Sequence, residues 1–171
     1  MTLVEPAPFD PAWTRYSAQP FPPYRFVPGL NPHPRRHPQG HAYGTKELPP
    51  PSLPPERWTD NAVYLHGIDL YNFAYWWECH EALEGLWHLT GHQGTEAQFL
   101  QGIIQVAAAN LKRHTGSLVG ARRLGGEAIQ RLASVGRRAF MGLELGPFIR
   151  AVSDYHVDED SPRIPLIRLE S

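Results

Sequence analysis

The chain has 171 residues, enough for one cored domain with an appendage, and 16 basic against 17 acidic side chains leave a net charge of −1. That balance excludes the basic footprint of a nucleic-acid binder, and a single cysteine excludes an internal disulfide framework or a four-cysteine zinc site. No run approaches the roughly 18 apolar residues of a membrane span, and Met1-Thr2-Leu3-Val4-Glu5-Pro6 lacks the basic and apolar regions of a signal peptide, so the expectation is a soluble, cytoplasmic protein.

Residues 1–57 form the first unit. Fifteen of the eighteen prolines lie between Pro6 and Pro55, and proline both lacks a backbone donor and forbids a continued helix. The segment should therefore be extended and turn-rich. It also carries Phe9, Trp13, Tyr16, Phe21, Tyr24, Phe26 and Tyr43, an apolar area too large to leave in water. We expect an ordered arm packed across a helical body. Within it, His33, His37 and His41 recur every four residues among prolines; they would have to converge through turns rather than along a helix face. Pro49-Pro50-Pro51 and Pro54-Pro55 read as a stiff spacer.

The second unit, residues 58–157, reads as five helices. Thr59 or Asp60 can cap the first, Ala62 to Tyr71. A second, roughly 74–90, stops at the glycine-bounded loop Thr90-Gly91-His92-Gln93-Gly94. The third, Thr95 to His114, has an apolar stripe of Phe99, Leu100, Ile103, Ile104, Ala107 and Leu111, with Gln98, Gln101, Gln105 and Lys112 opposite. Gly116 ends it, and Ser117 can cap a fourth over 118–135, in which Gly125-Gly126 must be compensated by close packing. Met141 to Gly146 is turn-like, and Pro147 can open a short fifth helix to about Tyr155. Residues 158–171 should be an extended tail.

The unusual residues concentrate at 75–88. At 100° per residue, Trp77, His80, Glu81, Glu84, Trp87 and His88 share one side of the second helix, and Tyr75, Cys79, Leu83 and Leu86 the other. A helix apolar on both sides is usually buried, so its polar groups need partners. His80 and Glu84 are four apart and can meet; Glu78 and Glu81, three apart, make a second pair.

The block Trp77-Glu78-Cys79-His80-Glu81-Ala82-Leu83-Glu84-Gly85-Leu86-Trp87 resembles the domain-of-unknown-function family 309. Phe99-Leu100-Gln101-Gly102-Ile103-Ile104-Gln105 is similar to its second block. The resemblance covers roughly 60–155 and implies an all-α fold, a compact antiparallel bundle of about five helices. It implies no known activity. Two departures stand out. Where many members have Asn-x-Gly, this chain has Asn72-Phe73-Ala74; where some place a histidine late in the third helix, it has Asn110-Leu111-Lys112.

Three readings of the cluster follow. A histidine and two carboxylates of this cluster could ligate a divalent metal, although the second Glu-x-x-His of di-metal bundles and the second histidine of His-Glu-x-x-His proteases are both missing. Without metal, Glu81 or Glu84 could orient His80 as the general base of a hydrolase, with Glu78, Trp77, Trp87, Gln101 and Gln105 lining a small-molecule pocket between the second and third helices. Alternatively, the cluster is a buried network that only fixes helix register. We expect a small-molecule or metal-binding helical domain, with His33, His37 or His41 closing the pocket. The runner-up is the hydrolase; a third class is an interaction module whose aromatic arm docks on a partner or on a second copy in a homo-oligomer.

Overall fold

The computed structural model describes residues 2–171, and its architecture is predominantly helical. Pro55 opens a short 3-10 turn over Pro55–Asp60, where its fixed φ fits and its missing donor costs nothing. That turn absorbs Thr59 and Asp60, so neither caps the first helix. The cap of α1 (Ala62–Asn72) is Asn61, whose side-chain oxygen accepts the Tyr64 amide at 3.1 Å.

The chain then reverses through Ala74, which takes a left-handed φ of 68°. This is where the Asn-x-Gly pattern would place glycine, and here alanine carries the strained conformation instead. Helix α2 (Trp76–Leu89) follows, two residues shorter at its start than its periodicity predicts. Helix α3 (Thr95–His114) has the predicted limits, because Gly94 and Gly116 both adopt positive φ at its ends. Helix α4 (Leu118–Ser134) begins without a side-chain cap; Ser117 contributes only its carbonyl, to the Ala121 amide.

After α4 the expected turn is a two-residue hairpin. Strands β1 (Ala139–Phe140) and β2 (Leu143–Glu144) pair antiparallel around Met141 and Gly142, both at positive φ as such a turn requires. Helix α5 (Leu145–Val152) starts ahead of Pro147, which sits in the first turn, where its missing N–H breaks no bond. One π-helical turn, Ser153–Val157, extends it.

The interior is a continuous apolar core in which Tyr64, Ile68, Phe99, Leu100, Ile103, Leu132, Val152 and Ile167 are fully enclosed. Helix α3 is sandwiched between α2 and α4. The arm and the tail complete the surface of α1. Asp69, fully buried, accepts the Tyr16 and Ser17 amides at 2.8 and 2.9 Å and the Arg15 Nε at 2.9 Å. Asn72 donates to the Ile167 carbonyl and accepts the Ile167 amide, both at 2.8 Å. The Trp13 indole also donates to the Ile167 carbonyl, and the Leu169 amide donates to the Tyr16 hydroxyl. Arm and tail thus hold each other as well as the body. Among the described residues, no helix is long and apolar enough to cross a membrane.

Candidate functional site

Helix α2 divides its residues as the 3.6 period requires. Trp76, Cys79, Leu83 and Leu86 enter the core, and burial pushes the Cys79 thiol far up, which leaves it inert. The opposite side is not enclosed by helices. It is half-covered by the arm.

The cover is assembled from the histidine-rich stretch. His37 N–H bonds the His33 carbonyl, Gly40 N–H the His37 carbonyl and Ala42 N–H the Pro34 carbonyl, so residues 33–42 wind into consecutive turns. These turns deliver the three histidines to different places. His41 Nε2 lies 2.9 Å from Glu78 Oε1, which also accepts the Phe26 amide at 2.9 Å. His33 packs edge-on against Trp77, at 5.4 Å between ring centroids, with Phe26 beside both. Its Nδ1 caps the local turn by accepting the Arg35 and Arg36 amides. His37 is exposed, and its ring accepts the Gln39 amide. Two of the three therefore reach α2, through Glu78 and Trp77 rather than through a hydrogen bond to His80.

Glu78 is 95 % buried, since its side chain is 5 % exposed, and that burial raises its carboxyl pKa despite the His41 and Phe26 bonds. Its second oxygen, Oε2, is buried with no partner.

One turn on, His80, Glu81 and Glu84 each offer a ligand atom, and these atoms all lie within 4.8 Å of one another. His80 Nδ1 is 3.4 Å from Glu81 Oε1 and 3.9 Å from Glu84 Oε2. The adjacent Glu81 raises the His80 pKa, against the opposing effect of burial, and His80 in turn lowers that of Glu81, with help from Arg35 and His33. Arg35 Nε stands 3.6 Å from Glu81 Oε2, and its guanidinium also pairs with Glu47.

Beside this trio a cleft of about 440 Å³ opens between α2 and the arm. Glu81, Ala82, Glu84, Gly85, His88 and Leu89 form one wall; Glu47, Leu48, Pro49 and Pro50 form the other, with Val63 of α1 at the base. The polyproline spacer thus serves as a wall, a role its composition did not disclose. Pro50 lies against Gly85, where an added Cβ would meet the ring at 3.7 Å.

Several expected pocket residues are elsewhere. Gln105 donates to Glu127 of α4 at 3.1 Å, and Gln98 accepts from Arg131 of α4, so these two glutamines serve the α3–α4 contact, while Lys112 on the same side is exposed. Gln101 is half-buried on α3 and does not line the cleft. Trp77 is roofed by Phe26 and His33, and Trp87 is stacked on His92 at 3.8 Å; neither lines the cleft. Arg35, Glu47 and His92 were missed as neighbours because their placement depends on turns rather than on helix period.

No curated protein matches the sequence. Residues 64–124, which include every member of the His80 cluster, match the model of the family described as "Domain of unknown function (DUF309)", the family that the Glu-x-His-Glu block resembles.

Proposed function

We propose that the α2 face binds a divalent metal through His80, Glu81 and Glu84 and presents it to a small molecule in the adjoining cleft. The observation that carries this reading is the spacing of the three ligand atoms. Separations of 3.4 and 3.9 Å are long for hydrogen bonds. Two ligands on one tetrahedral ion, with bonds of about 2.1 Å, sit about 3.4 Å apart. One imidazole and two carboxylates suit zinc, manganese or iron, and three protein ligands leave a coordination position for water or substrate. The cleft supplies an apolar wall of Leu48, Pro49 and Pro50 beside that position.

Binding requires a neutral imidazole. The His80 pKa is raised above its ordinary 6.5, so affinity should fall as pH drops through that raised value. Calorimetric titration of untagged protein with Mn²⁺, which the imidazole pair described below does not favour, should give one saturable equivalent that is lost in His80→Ala and in Glu84→Gln. Both side chains are about one-third exposed, so the variants should keep wild-type helical circular dichroism. The absence of saturable binding, or equal binding in the variants, would refute the metal.

A metal-free hydrolase is the second reading. The observation favouring it is Glu81 beside His80 Nδ1, the arrangement that orients an imidazole as general base. Hydrolytic turnover that survives chelation and disappears in His80→Ala would select it.

A further inference from the structure

The carboxy-terminal end of α2 carries another group of nitrogen donors. His88 Nδ1 and His92 Nε2 lie 2.7 Å apart, with the rings inclined at 55°. Both side chains are open to solvent. The loop holds His92 in place at some cost. Its backbone takes a left-handed φ of 64°, uncommon for histidine, its amide donates to Thr90 Oγ1 at 3.1 Å, and its ring lies flat on Trp87 at 3.8 Å and 16°. The other side of His88 faces a carboxylate: Nε2 is 3.9 Å from Glu84 Oε1.

We infer that His88 Nδ1 and His92 Nε2 chelate a second divalent ion of the borderline class, copper, nickel or zinc. Imidazole nitrogens suit these metals. Two nitrogens bound at right angles to one ion, with bonds of about 2.05 Å, stand about 2.9 Å apart, so the ion takes the place of the hydrogen bond that now joins them: the shared proton moves to the outer nitrogen of its ring, and the rings part by a few tenths of an ångström. Glu84 stands behind His88 at 3.9 Å, beyond a direct hydrogen bond, and its charge favours a proton on Nε2, which leaves Nδ1 as the metal donor. The helix end adds its partial negative charge. Because the opposite oxygen of Glu84 faces His80, one carboxylate lies between this ion and the site proposed above. The two sites use different histidines, and neither depends on the other for its ligands.

The full-length, untagged chain titrated with Cu²⁺ tests this, with calorimetry counting equivalents and tryptophan fluorescence reporting proximity. Copper on His92 should quench Trp87, and Trp87→Phe should remove that quench while leaving the binding heat. His92→Asn is the informative variant, since asparagine accepts positive φ. It should lose both one equivalent and the Trp87 quench; His88→Gln should do the same. His80→Ala should keep the quench. A quench and stoichiometry unchanged in both His92→Asn and His88→Gln would overturn the chelate. If the His80 site alone is wrong, wild type should show a single equivalent, sensitive to His92 and indifferent to His80.

Discussion

One oxygen of Glu78 receives two donors from the arm, the Phe26 amide and the His41 ring, while the other is buried alone. Truncation to alanine strands both donors, and we expect Glu78→Ala to cost about 2–3 kcal/mol in urea denaturation. Glu78→Gln keeps an acceptor in place and should behave differently. The folded-state pKa of Glu78 is raised, so its contribution is fully present below the ordinary 4.5 and is lost as pH rises through the folded value. Glutamine does not titrate. The stability difference, glutamine variant minus wild type, should therefore shift in favour of glutamine between pH 4 and pH 8; a difference independent of pH would show that Glu78 titrates normally. The need of Glu78 for a partner was legible from its place on a helix with two apolar sides. The identity of that partner was not, because His41 arrives through turns whose hydrogen bonds leave no period in the sequence.

Among the elements, α4 shows how packing overrides propensity. Gly125 and Gly126 both weaken a helix, yet they face different surroundings. A Cβ on Gly125 would stand 2.7 Å from the Cβ of His156, a buried residue that bonds Asn110 at 2.7 Å. A Cβ on Gly126 would meet nothing within 4 Å. Gly126→Ala should therefore stabilise by about 0.5–1 kcal/mol, the helix-propensity gain, whereas Gly125→Ala should destabilise by about 1–3 kcal/mol through overpacking. Thermal unfolding of the pair would check the opposite signs. The need for compensation could be read from the two glycines, but which one is compensated depends on the π-helical turn that carries His156, and nothing in the sequence announces that turn. Helix limits divide in the same way. Those of α3 are set locally by glycines at both ends, while the first cap fell to Asn61 only because Pro55 drew Thr59 and Asp60 into a preceding turn.

For the whole molecule, the arm is part of the structure and not an ornament on it. Phe21 stacks on Tyr75 at 4.8 Å, Arg25 lies over the same ring and donates to the Phe73 carbonyl, and Asp69 holds three donors from residues 15–17. Its aromatic content was the sign of that order. Asp69→Ala leaves the Tyr16 and Ser17 amides and Arg15 without their acceptor, at a cost of about 3 kcal/mol. Limited proteolysis should then cut residues 10–50 faster than in wild type, ahead of the helical body. Uniform susceptibility along the chain would mean that arm and body unfold together.

The Asn72 pair with Ile167 has a consequence for which sequences can follow the helices. Its amide engages only main-chain atoms, as a neighbouring strand would, and is blind to the side chain opposite. Any residue with an N–H satisfies it, and proline alone is barred by the missing donor. The fully enclosed side chain of Ile167 is therefore selected by the cavity it fills, and two separate tests, one of backbone and one of volume, meet at a single residue of the tail.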